Sequence, residues 1–199
     1  MNKEFVVKSL LAGFMIGLGC LVYVVCANKI VGAFLFSLGL LSVILQQYNL
    51  YTGKVGYISR DTAGRLLPMF LLNAVGIGIT DFLASFTRLD VSAVNTIVAT
   101  KLSDNYFSIF LLSIGCGVMM FLAVDNYRKN NHPLIVIMPI MFFILCGFEH
   151  CVANVGYFAM AHTPLTLDLC ARVAIMVVGN GIGSCILSKV DIFKNTKEA

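Results

Sequence analysis

The chain is a succession of apolar runs, each about as long as a bilayer crossing, joined by short polar links. A helical span takes roughly 20 mainly apolar residues. The runs predict six spans, over 6–27, 30–50, 66–86, 106–124, 133–161 and 170–188. With 59% of its 199 residues hydrophobic and 12% charged, the chain has little left for a soluble domain. Residues 1–199 therefore read as a single transmembrane domain, all-α. The first run follows Lys3 and Lys8 but is long enough to span, so it reads as a span rather than a cleaved leader. Segment 53–65 reads as a loop, 87–105 as a polar connection with at most one helical turn, and the charged tail from Lys189 as frayed.

The net charge of +4 does not point to nucleic acid, because the basic residues form no stripe and no aromatics interleave them. Their distribution instead sets topology. With the N-terminus inside, the inner set is Lys3, Lys8, Lys54, Arg60, Arg65, Arg128, Lys129, Lys189, Lys194 and Lys197. The outer set is Lys29, Arg88, Lys101 and Arg172. That excess places both termini in the cytoplasm, which requires an even number of spans.

No cofactor or metal is implied. The seven cysteines include no C-x-x-C pair and no zinc-type Cys/His spacing, and most sit in apolar runs as small hydrophobic residues. No enzyme signature occurs. Asp81, Asp125 and Arg172 fall near span ends, and His132 and His162 in or near loops.

The two halves share an internal pattern. Gly19-Cys20 matches Gly115-Cys116, and Asn73-x-x-Gly76 matches Asn180-x-x-Gly183. Three spans per copy is odd, so the second copy is inverted in the membrane. The middle span of each copy is interrupted. The second ends in Gln46-Gln47-Tyr48-Asn49-Leu50-Tyr51-Thr52-Gly53, and the fifth carries Gly147-Phe148-Glu149-His150-Cys151-Val152-Ala153-Asn154 inside an apolar stretch. Transporters built from inverted repeats commonly break one helix per repeat, and irregular backbone at that depth must line a cavity or be buried in protein. Both interruptions are thus expected to face one interior.

His150 is the leading candidate residue, since an ionisable side chain at membrane depth marks function by default. It could stabilise an anion or hand it a proton. Glu149 would repel an anion in the lumen and reads as structural at the break. Asn154 could orient His150 or cap the break. Thr52 suits either an anion site at a half-helix N-terminus or a simple cap.

The run Gly147 to Asn154, with Pro139 upstream, resembles the fifth-span motif of the formate/nitrite transporter family. Leu35-Phe36-Ser37-Leu38-Gly39-Leu40 with Leu50-Tyr51-Thr52-Gly53 resembles its second span and loop, and Gly179-Asn180-Gly181-Ile182-Gly183 its last span. The resemblance covers roughly residues 6–188. It implies an aquaporin-like homopentamer in the bacterial inner membrane, with one pore per protomer. The pore would conduct small monovalent anions such as formate, nitrite or hydrosulfide, alone or together with protons. His150, Thr52 and Asn154 would line it, and Phe36, Leu40 and Phe143 would form apolar constrictions. On this resemblance His132 stands at the place of the family's vestibule lysine, with Lys129 beside it. The alternative is a non-conducting scaffold or sensor that keeps the fold.

Overall fold

Apolar composition and well-placed caps turn this chain into helices. α1 spans Lys3–Val25 and α2 spans Lys29–Leu45. Asn2 opens the first by accepting from the Phe5 N–H at 2.9 Å. Asn28 opens the second by accepting from Ile30 and Val31. Each cap satisfies N–H groups that the first turn leaves without a partner. After a non-helical stretch come α3, Tyr51–Lys54, and a 3-10 turn over Val55–Tyr57. α4 (Arg60–Ala84) starts behind Ser59, whose N–H donates to the Thr62 hydroxyl. Then follow α5 (Val94–Ser103), α6 (Tyr106–Asn130), α7 (Leu134–Leu145), α8 (Cys151–Met160) and α9 (Leu167–Asn195). This computed structural model describes residues 2–195, with side chains through residue 190. Lys197 and the side chain of Lys194, both counted among the inner cations, lie outside that range.

Among the described residues α1, α4, α6 and the Leu167–Val190 part of α9 are long and apolar enough to cross a membrane, while α2, α7 and α8 are shorter apolar helices. Three local expectations change. Segment 53–65 is no loop: Tyr51, Thr52, Val55 and Gly56 are buried, and a buried backbone must satisfy its own polar groups by coiling. Segment 87–105 holds a full helix, α5, which turns Val94 and Val98 inward at i, i+4 spacing and packs on α8. The tail does not fray at Lys189, since α9 runs on to Asn195.

α1 packs on α4, α6 on α9, and α2 on α7. The first two contacts are very close. A Cβ on Gly76 would stand 2.0 Å from the Leu10 carbonyl oxygen, and one on Gly183 2.1 Å from that of Ile114. A Cβ on Gly13 or Gly117 would likewise stand 2.0 or 2.2 Å from the carbonyl oxygen of Asn73 or Asn180. Small residues permit such backbone approach where no water drives helices together. These contacts replace the expected pairing of Cys20 with Cys116. Gly13 and Gly117 hold corresponding places, while the Cys20 thiol donates to the Ala153 carbonyl at 3.7 Å. Small residues recur along a packing face, so a Gly-Cys pair can be matched out of register. The outward face of α4 is a stripe of exposed Leu67, Leu71, Val75, Ile79 and Phe82, continued past its end by Phe86.

Candidate functional site

The segments between α2 and α3 and between α7 and α8 have the same backbone plan. The N–H groups of Gln46, Gln47 and Tyr48 donate to Ser42, Ile44 and Val43. Those of Cys146, Gly147 and Phe148 donate to Phe142, Ile144 and Phe143. Gln47 and Gly147 both take positive φ, 53° and 70°. That conformation costs a non-glycine residue about 1–2 kcal/mol, so Gln47 is held there by its surroundings. Asn49 then donates to the Lys8 carbonyl, and Glu149 to that of Leu112.

One buried asparagine braces each interruption. Asn73 Oδ1 accepts from the Tyr51 N–H at 2.9 Å, and its Nδ2 donates to the carbonyls of Ser9 and Asn49 at 2.8 and 2.9 Å. Asn180 Oδ1 accepts from the Cys151 N–H at 2.9 Å, and its Nδ2 donates to Ser113 and Glu149, both at 2.8 Å. Each amide thus ties a half-helix, the segment before it and a long helix together. The two asparagines were visible in sequence as a repeat signature, but not as braces.

α3 and α8 begin behind Leu50 and His150, which hold the equivalent cap positions. His150 is 3% exposed. Its Nδ1 accepts from the Ala153 N–H at 3.0 Å, capping α8. A neutral imidazole with Nδ1 as acceptor carries its proton on Nε2, and Nε2 lies 2.9 Å from the Thr52 hydroxyl oxygen. The ring also stacks on Phe143, with centroids 5.8 Å apart. So His150 and Thr52 meet, each from one interruption. With Thr52 accepting from Nε2–H, its own hydroxyl proton is left to donate.

Beside them is a charged group. The Glu149 carboxylate, 4% exposed, receives Lys101 Nζ at 2.6 Å. It also receives the Asn154 amide, which donates to Met176 Sδ at 3.1 Å as well. Asn154 therefore serves Glu149 rather than the His150 ring. Lys101 lies near the end of α5. Arg172 holds that end by donating from Nη1 to the carbonyls of Lys101 and Asp104 at 3.2 and 2.7 Å, while its Nε pairs with Asp168 at 2.7 Å. Arg172, expected at an interface, is thus a buried organiser of α5.

Two cavities approach this centre from opposite ends. Named for the topology expected from the sequence, the outer one, about 530 Å³, is lined by Lys101, Glu149, His150 and Asn154, with Phe36 and Phe143 at its apolar side. The inner one, about 380 Å³, is lined by Leu40, Leu50, Lys54 and Arg128 among others. Phe36 and Leu40, one turn apart on α2, face different cavities. Thr52, 1% exposed, is sealed between them. Leu50 belongs with the apolar residues at the centre and was missed in the sequence, although the motif Leu50-Tyr51-Thr52 contained it.

The vestibule assignment is corrected. His132 is exposed in the turn after α6, its Nδ1 accepting from the Leu134 N–H at 3.3 Å. Lys129 pairs with Asp125 at 2.8 Å. Neither lines the His150 cavity. α6 rises about 1.5 Å per residue, so its last turns are the far end of a 25-residue helix from Leu112, which does line that cavity. The cation in the His150 cavity is Lys101. No local pattern marked it, because its approach to Glu149 depends on how α5 docks.

The family model for formate/nitrite transporters matches residues 2–192. The formate channel FocA of Haemophilus influenzae is 31% identical, over 64% of this chain and 52% of that protein. The chain thus spans about half of that relative's length. The nitrite transporter NirC of Escherichia coli is 26% identical, over 79% of this chain and 68% of its own. Among solved structures, an FNT family ion channel matches with a TM-score of 0.83 at 22% identity, covering 96% of this chain and 89% of that one. A pentameric formate channel with formate bound matches with a TM-score of 0.80 at 20% identity, covering 97% and 96%.

Proposed function

Since this chain belongs to the formate/nitrite transporter family, we propose that it is a passive membrane channel for small monovalent anions, with its selective centre at His150 and Thr52. The observation that carries the reading is the 2.9 Å contact between His150 Nε2 and Thr52 Oγ1, which joins the two interruptions between an outer and an inner cavity.

An anion entering the outer cavity meets Lys101 first and then a centre that offers donors. Thr52 presents its hydroxyl proton to a dehydrated anion, and an anion that takes the place of the Thr52 oxygen receives the His150 Nε2–H as well. A hydrated cation finds only the Thr52 hydroxyl oxygen there, too little to replace its shell, and the apolar ring of Phe36, Leu40, Leu50 and Phe143 excludes bulk water. Of the two roles open to His150, hydrogen bonding to the anion is favoured over storing a proton. A second proton would have to go to Nδ1, which would end the cap on α8 at a cost of about 1 kcal/mol.

In this reading α2 with α3, and α7 with α8, are the two broken helices of a six-span, twice-repeated inverted domain, with both termini in the cytoplasm. The matching braces at Asn73 and Asn180 support it. The exposed apolar stripe on α4 faces lipid or neighbouring copies in a homopentamer.

The test is anion flux in reconstituted vesicles, with formate, nitrite, hydrosulfide, lactate and acetate at pH 5 and pH 8. Asparagine caps helices well, so His150→Asn keeps the fold. It should change both the rate and its pH dependence. Equal, leak-level flux of every anion through the native protein would instead favour a non-conducting scaffold.

A further inference from the structure

Where α1 and α4 begin and α6 ends, a side cavity of about 340 Å³ opens next to the inner one. Its wall carries three cations, Lys54, Arg65 and Arg128, with the Thr62 hydroxyl, and an apolar flank that includes Leu66 and Met69. Among the described residues its wall holds no carboxylate. Lys54 and Arg128 are shared with the inner cavity, whereas Arg65 and Thr62 line only this one.

Three of the chain's cations converge on this one chamber. Lys8, Lys101, Lys129 and Arg172 each hold a carboxylate oxygen at 2.6–2.8 Å. Among the described residues, Lys54, Arg65 and Arg128 have no carboxylate within 4.0 Å. Arg128 is held over the Tyr57 ring, 4.1 Å from its centroid. Three like charges facing one partly apolar chamber repel one another unless an anion joins them. A monovalent anion would offset only one. A phosphate group brings several acceptor oxygens that match guanidinium forks. Basic pockets between helices at the inner membrane face take lipid headgroups of this chemistry.

We propose that this cavity is a binding site for a phosphate group, supplied either by free inorganic phosphate or by the headgroup of an anionic phospholipid. The site is independent of whether the chain conducts anions.

The experiment uses the full chain in nanodiscs. Inorganic phosphate is titrated in discs of phosphatidylcholine alone, and phosphatidylglycerol is added to the discs in a second series; native mass spectrometry and thermal shift read binding. Binding in the first series identifies free phosphate as the source, and binding confined to the second identifies the lipid. Arg65→Gln should weaken the bound form about tenfold, the loss of one charge-assisted pair, and Arg65→Lys should keep most of it. Arg60→Gln removes the same charge at the same helix end but outside the cavity wall, and should leave binding unchanged. Formate flux of Arg65→Gln in phosphatidylcholine vesicles should equal that of the native chain. The proposal is overturned if neither probe binds, or if Arg60→Gln weakens binding as much as Arg65→Gln.

Discussion

Replacing Lys101 with methionine tests the charged group beside the centre. The substitution keeps much of the side-chain volume but takes the counter-charge from Glu149, whose side chain is 4% exposed. Glu149 then keeps only the Asn154 amide. Breaking a buried ion pair by removing one partner costs about 3–5 kcal/mol, against a typical domain stability of about 5–15 kcal/mol. The single variant should therefore unfold markedly earlier. Changing both residues, Lys101→Met with Glu149→Met, removes the stranded charge. Apolar replacement of a whole pair is often close to neutral. The Asn154 amide loses one acceptor but keeps Met176 Sδ at 3.1 Å, a loss of about 1 kcal/mol. The double variant should thus recover at least about 2 kcal/mol of what the single one loses. Denaturant unfolding in micelles, followed by circular dichroism, measures both. In vesicles neither variant should regain native anion flux, since both lack the cation of the outer cavity. The reasoning fails if Lys101→Met costs under about 1 kcal/mol, the range of an exposed pair, or if the double variant is no more stable than the single.

Three further outcomes are expected. Gly76→Ala forces a methyl to within 2.0 Å of the Leu10 carbonyl oxygen and should cost about 3 kcal/mol or more as α1 and α4 part, whereas Gly78→Ala, with nothing within 4 Å, should be neutral or gain up to about 1 kcal/mol; a thermal scan compares them. Asn180→Ala strands the Cys151 N–H and the Glu149 carbonyl and takes the second partner of the helical Ser113 carbonyl, so at about 1 kcal/mol or more for each stranded group it should lose at least about 2 kcal/mol, read as folded yield by size-exclusion chromatography in detergent. Thr52→Val removes the acceptor 2.9 Å from His150 Nε2 and should slow formate flux about tenfold, while Thr52→Ser should restore most of it.

The sequence displays the parts of this architecture that depend on local contrast. Polar residues within apolar runs stand out, so the stretches around Thr52 and His150 are visible as interruptions. Asn73 and Asn180 stand out for the same reason. What it hides depends on docking. Lys101 looks like one of a few outer cations until α5 folds onto α8 and Arg172 ties its end. His132 lies near the fifth span in sequence, but the α6–α7 turn leaves it exposed, away from His150. Register within a face of small residues is equally hidden, which is why Cys20 and Cys116 could be aligned where Gly13 and Gly117 belong.

The two asparagine braces leave the backbone around the centre with little slack. Loosening either interruption would cost several hydrogen bonds at once, so the loops themselves are poor moving parts. What can turn at little expense are side chains: the rings of Phe36 and Phe143, the branched ends of Leu40 and Leu50, and the Thr52 hydroxyl. Clearing the way by rotation alone would be quick and local, a flicker within a fixed frame rather than the swing of a door.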